Sequence, residues 1–168
     1  NTNALYRYDG QGGVPLNGLL RRLAFTYDMG SLKVLISNYI NNDSRVHYHR
    51  DVLERARQIA PFLTYDSDPY VSIIDGRLKW IIDAYTASDR YPYSEPLGQS
   101  TDIASLVDNE TVRNLVQGES NYVRDAAKVV IDAYDGTLEY YVVDEADPIL
   151  ATYRKIFPNL FTSREETP

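Results

Sequence analysis

Cysteine is absent from the 168 residues, which excludes disulfides, thiolate zinc sites, iron–sulfur clusters and thiol nucleophiles at once. Histidine is scarce, with His47 and His49 two positions apart. No apolar run approaches the ~20 residues of a membrane-spanning helix. A basic excess is missing as well. The net charge of −7 argues against nucleic acid as a partner. Hydrophobic residues at 43% and charged residues at 24% exclude a disordered or fibrous polymer. The length suits a single domain, 1–168, able to bury a core without staples. A chain that opens on Asn1 and has Met29 as its only methionine reads as a piece of a longer protein.

What is present is unevenly distributed. Residues 1–60 hold eight basic and five acidic side chains, a net +3, whereas residues 61–168 hold nine and nineteen, a net −10. The basic third, with Arg21, Arg22, Arg45, Arg50, Arg55 and Arg57, is a candidate surface for an anionic lipid, polymer or ligand. A solvated face offset by the acidic remainder is the plainer alternative.

The patterning predicts helices first and hairpins second. Residues 1–13, with Asp9-Gly10 and Gly12-Gly13, read as a flexible lead-in. A helical part spans 14–61. Pro15 suits a first helical turn, and Leu16, Leu19, Leu20, Leu23 and Tyr27 form an inward stripe ending at Gly30. Ser31 caps a second helix with Leu32, Leu35, Ile36 and Tyr39 inward. A third covers Arg50 to Ala60, with Val52, Leu53, Ala56 and Ile59 inward and Pro61 as the stop.

From residue 70 the period changes to two. Tyr70–Ile74 and Arg77–Tyr85 flank Asp75-Gly76, a strong hairpin signal. Val71, Ile73, Leu78, Trp80, Ile82 and Ala84 would share one apolar face. A second hairpin, 121–144, turns at Asp135-Gly136, with Ala127, Val129, Ile131, Ala133, Leu138, Tyr140 and Val142 inward. That register sets Asp132 against Glu139, an unfavourable like-charge pair. Between the hairpins, 86–120 reads as a long loop with one short helix near Glu110 to Val116. Asp147-Pro148 opens a final helix over 147–158, with Ile149, Leu150, Tyr153, Ile156 and Phe157 as its apolar face. Residues 162–168 form a tail. The order is that of an α+β fold: N-terminal helices, two antiparallel β-hairpins forming a sheet, and a C-terminal helix.

Catalytic and metal-ligating residues are not legible. No Gly-x-Ser-x-Gly elbow occurs, and the two histidines lack a third ligand at metal-site spacing. Asp66-Ser67-Asp68, followed by Pro69, reads as a turn. No cofactor is implied. Carboxylates are plentiful, so a hydrolase working on polysaccharide or peptide through paired Asp/Glu stays open.

Tyrosine is the compositional oddity, with fifteen against four Phe and one Trp. Tyr91 and Tyr93 sit among Asp83, Asp89, Arg90, Ser94 and Glu95. Amphipathic rings beside charged groups suit a sugar or a protein partner. A loop pinned to the sheet by its own tyrosines is the structural alternative.

The stretch Asp83–Pro96, with Ile59-Ala60-Pro61-Phe62-Leu63 and Asp66-Ser67-Asp68-Pro69-Tyr70, resembles the uncharacterised protein family UPF0182. So do Asn121-Tyr122-Val123-Arg124, Val130–Thr137 and Asp147-Pro148-Ile149. The resemblance covers about Gly12 to Phe161. It implies a bacterial multi-pass membrane protein of the cell envelope, with this segment in its extracytoplasmic region. It carries over no activity and no catalytic residue. The expected role is therefore interaction, sensing or assembly, with other envelope proteins or the protein's own membrane portion as partners.

Overall fold

The computed structural model describes residues 8–99, 109–163 and 165. It has a mixed α/β architecture that divides into two compact units, residues 1–50 with 134–136, and 51–133 with 137–168.

The first unit departs most from expectation. Val14–Pro15 is not a helical turn but a short strand, β1, paired antiparallel with β2 (Arg45–Val46). Helix α1 starts only at Leu19, after Gly18, and runs to Asp28. Its inward stripe is wrong in direction: Leu16 is buried, but Leu19, Leu20, Leu23 and Tyr27 are exposed. Phe25, half-buried, and buried Thr26 face inward instead. Gly30 does end the helix, at φ 61°. The second helix, α2, is one turn, Lys33–Ile36, without a side-chain cap from Ser31. Leu32, Ile36 and Tyr39 lie in solvent.

Residues 8–13 are tied down rather than loose, while residues 1–7 lie outside the described residues. The Tyr8 hydroxyl donates to Asp135 Oδ1 (3.1 Å) and accepts from Gly12 N (3.0 Å). Gln11 N donates to the same carboxylate oxygen (3.0 Å). Arg45 Nη1 collects the carbonyls of Gln11, Gly12 and Gly13 at 2.6, 3.0 and 3.3 Å. Gly12 has no room for a side chain, since a Cβ there would lie 1.9 Å from Asp135 O.

In the second unit α3 (Val52–Ile59) starts on Asp51, whose side chain accepts from Glu54 N (2.8 Å). Ala56 is buried as expected, but Ile59 is 48% exposed. The sheet order is β3 (Thr64–Tyr65), β5 (Arg77–Ser88), β6 (Tyr122–Asp132), β7 (Leu138–Val142), β8 (Phe161–Thr162), with β4 (Tyr70–Ile74) also on β5. All pairings are antiparallel except β7–β8, which is parallel. The sheet is thus mixed. Strands β3 and β8 are too short to show a period-two pattern, and Thr162, expected in a tail, belongs to β8.

The β4–β5 hairpin has the expected register, Val71 against Trp80 and Ile73 against Leu78. Asp75 and Gly76 take φ 52° and 74°, as a two-residue type I′ turn requires. Ile82 and Ala84 are buried, whereas Val71, Ile73 and Leu78 of the same face are exposed. The β6–β7 register differs from expectation. Ile131 opposes Leu138 and Val130 opposes Glu139, a slip of two residues. The inward set is kept except for exposed Ala133, and the Asp132–Glu139 clash is gone. Asp132 instead faces Lys79 on β5 and pairs with Arg77 Nε at 3.1 Å.

The long loop starts later than expected, because β5 continues to Ser88, and the short helix expected near Glu110 to Val116 is α4, Glu110–Gln117, capped by Asn109. Residues 100–108 lie outside the described residues. Helix α5 (Pro148–Ile156) begins on Asp147 with Pro148 at its first position, as expected. Leu150 is buried, but Ile156 and Phe157 are partly in solvent. The core joins Ala56, Ala60, Leu63, Tyr65, Ile82, Ala84, Ala127, Val129, Ile131, Tyr140, Val142 and Leu150. Phe62 stacks on Tyr153 (4.0 Å) and Phe157 (5.3 Å) beside it.

Candidate functional site

The tyrosine-rich loop leaves β5 after Ser88 and is clamped at its backbone by the Asn121 side chain. Buried Asn121 accepts from Tyr91 N (2.9 Å) and donates to Tyr91 O (2.8 Å) and Ser94 O (3.0 Å). The Ser94 hydroxyl donates to Asn121 O (3.0 Å). Asn121 N in turn donates to Ser88 O (2.8 Å), and Ser88 Oγ accepts from Arg90 N (3.0 Å). An amide side chain mimics a backbone here, satisfying a loop that has no strand partner.

The two loop tyrosines have separate roles. Tyr91 stacks on Tyr122, ring centroids 4.5 Å apart and planes 20° apart, and so anchors the loop. Tyr93 has φ 59° and is fully exposed. A bulky residue in the left-handed region is strained. The Asn121 clamp on either side holds it there, with the ring in water. Asp89 and Arg90 form an exposed ion pair (3.7 Å) beside it, and Glu95 is exposed. A groove of about 510 Å³ adjoins the loop, lined by Asp89, Pro96, Gly98, Gln117, Gly118 and Glu119.

Asp83 does not belong to this group. It lies five residues back along β5, roughly 17 Å at strand rise, and pairs with Lys128 of β6. Around it is a second polar centre that sequence reading missed. A bulge in β6 sets Tyr85 opposite Asp125, with Ala126 as the extra residue. The bulge breaks the alternation, so Asp125 joins Asp83 and Lys128 instead of the core face. Asp66, buried at the end of β3, accepts from Asn109 Nδ2 and Thr111 Oγ1 (3.2 Å).

The electrostatics follow from crowding. Burial, then the charges of Asp66, Asp83 and Asp125, push the Tyr85 phenol up to about 12. Loss of water raises the Asp125 carboxyl; Lys128 opposes this, and Asp83 and Asp66 add to it. Burial acts to lower the Lys128 ammonium, but its bond to Asp83 and the nearby carboxylates leave it raised. Asp66 and Asp83 already accept from neighbours, the pattern of a satisfied structural network. His47 and His49 sit against rings, His47 on Tyr8 (4.9 Å) and His49 on Tyr48 (4.8 Å). Among the described residues no group of three or more His, Cys, Asp or Glu is arranged to hold a metal ion.

A mixed α/β unit presenting a clamped aromatic loop defines a class without naming a protein. Comparison supplies the family. The whole chain, residues 1–168, matches the uncharacterised protein family UPF0182, and the chain belongs to it. It is 51% identical over 166 residues to a UPF0182 protein of Trichodesmium erythraeum, covering 99% of this chain and 18% of that protein. It is 48% identical to one from Methanospirillum hungatei, covering 96% and 16%, and 44% identical to one from Alkaliphilus metalliredigens, covering 100% and 16%. The chain thus spans less than a fifth of the length of these curated relatives. No solved structure matches it.

Proposed function

We propose that this chain is a non-catalytic interaction module of an integral membrane protein, placed on the extracytoplasmic side and docking another envelope protein through Tyr93. The carrying observation is the fully exposed Tyr93 ring, held at φ 59° by the Asn121 hydrogen bonds. Strain retained at an exposed position is characteristic of binding sites. Tyrosine contributes contact area at low entropy cost and is enriched where proteins meet. Asp89, Arg90 and Glu95 supply the polar rim of such a contact. The engaged carboxylates of the second polar centre support structure over acid–base work.

The test is chemical cross-linking of the full-length protein in its own membranes. Tyr93→Ala is expected to remove a discrete protein adduct and to leave thermal stability unchanged. Tyr91→Ala is expected to weaken both, because Tyr91 anchors the loop. An adduct indifferent to Tyr93→Ala overturns the reading, as does a loop that captures free glycan instead of protein.

A further inference from the structure

Helix α1 turns its most apolar side to water. Leu19, Leu20, Leu23 and Tyr27 fall within ~100° of the helical wheel, and all four are exposed, Leu20 at 83% and Tyr27 at 91%. The side packed on the rest of the first unit carries half-buried Phe25, whose ring lies 6.1 Å from that of Tyr48, with Arg22 and Thr26 between it and the exposed stripe. Buried Thr26 donates its hydroxyl to Arg22 O (2.6 Å), and Arg22 Nε donates to Leu16 O (3.4 Å). An amphipathic helix ordinarily buries such a stripe. Helix α2, packed against α1, exposes Ile36 at 73%. Exposed apolar surface of this extent marks an interface.

We infer that this face of α1 and α2 is covered by the remainder of the same polypeptide, through an aliphatic and aromatic surface lying outside these 168 residues. The chain represents 16–18% of the length of its relatives, so more than four-fifths of such a polypeptide is available to cover it. A lipid surface fits less well. Binding to anionic headgroups needs basic side chains turned toward them. Arg21 donates to Pro15 O (3.3 Å) and Asn17 Oδ1 (2.7 Å), Arg22 to Leu16 O, and Arg45 to the carbonyls of residues 11–13. These three guanidiniums are oriented toward groups of their own unit, and exposed Lys33 is the basic side chain that α2 itself carries. The inference is independent of the role given to Tyr93.

The absence of cysteine makes thiol labelling a direct test. Leu23→Cys and Ile36→Cys are compared in the 168-residue chain and in the full-length polypeptide, solubilised in detergent, with other cysteines removed. Both thiols are expected to react with maleimide at free-thiol rates in the short chain and at least tenfold slower at full length. The slowing should be independent of protein concentration. Equal rates in the two chains overturn the inference. So does protection that appears only in bilayers, which would make lipid the occupant, or protection that grows with concentration, which would make it a second copy.

Discussion

The Thr86 hydroxyl donates a hydrogen bond to Asp147 Oδ2, joining the C-terminal end of β5 to the residue that caps α5. Both side chains are 1% exposed. The other carboxylate oxygen accepts from Ile149 N (2.7 Å) and Leu150 N (3.1 Å). One buried acid thereby starts a helix and fixes where that helix meets the sheet.

Asp147→Ala removes the cap and leaves the Thr86 hydroxyl buried without its acceptor. The expected loss is about 2–3 kcal/mol in urea unfolding. Asp147→Asn keeps an acceptor oxygen and is expected to cost about 1 kcal/mol. Equal losses for the two variants would contradict a capping role.

The Tyr93 backbone is strained while its ring touches water. Tyr93→Gly is expected to raise stability by about 1 kcal/mol, because glycine accepts the positive φ, whereas Tyr93→Ala keeps the strain and changes little. Asn121→Ala deletes three hydrogen bonds to the loop backbone and is expected to lower the melting temperature. A neutral Asn121→Ala would refute the clamp.

Alkaline pH should unfold the second unit through its buried phenols. Tyr65 donates to Ala60 O (2.7 Å) and Ala56 O (3.0 Å), and Tyr140 also donates to Ala56 O (2.9 Å). Burial raises the Tyr65 phenol, with its hydrogen bond to Tyr140 adding to the rise, and Tyr85 is pushed up to about 12. A folded pKa above the unfolded value of 10.0 means full stability below pH 10, lost progressively as pH rises beyond it. Denaturant midpoints measured upward from pH 9 should therefore fall, and less steeply in Tyr85→Phe. An unchanged slope would contradict this assignment.

Asp125 behaves oppositely to an ordinary salt-bridged carboxylate. Its folded pKa is raised, so its contribution is most favourable at low pH and is lost as pH rises through that value. Asp125→Asn is expected to raise the denaturant midpoint at neutral pH, with the gain shrinking as pH approaches 3.8. A destabilised Asp125→Asn at neutral pH would show that the carboxylate charge supports the fold.

Local chemistry made some elements legible. Asp75-Gly76 specified its turn because both positions need positive φ, and Asp147-Pro148 specified a helix start because cap and first turn are decided by neighbours in sequence. The β6–β7 pairing was legible in its faces and not in its register, since a slip of two residues preserves every face. The observed register takes Glu139 away from Asp132, which lies opposite Lys79 and pairs with Arg77 on β5. The loop residues Asp89 to Glu95 were legible as a group. That Tyr91 anchors while Tyr93 projects depended on Asn121 and Tyr122, which sequence spacing places far from both.

The sequence by itself determined the family, the Asp75-Gly76 turn and the inward set of β6 and β7 up to Ile131, because these follow from motif, turn chemistry and period. Tertiary structure alone decided which apolar faces are covered. The stripe Leu19, Leu20, Leu23 and Tyr27 has the pattern of a core helix yet lies in water. Periodicity records that a face wants a partner, but whether one is there depends on what else packs in space. The same holds for Asp125, which an alternating strand would send to the core and which one extra residue, Ala126, turns to the polar face.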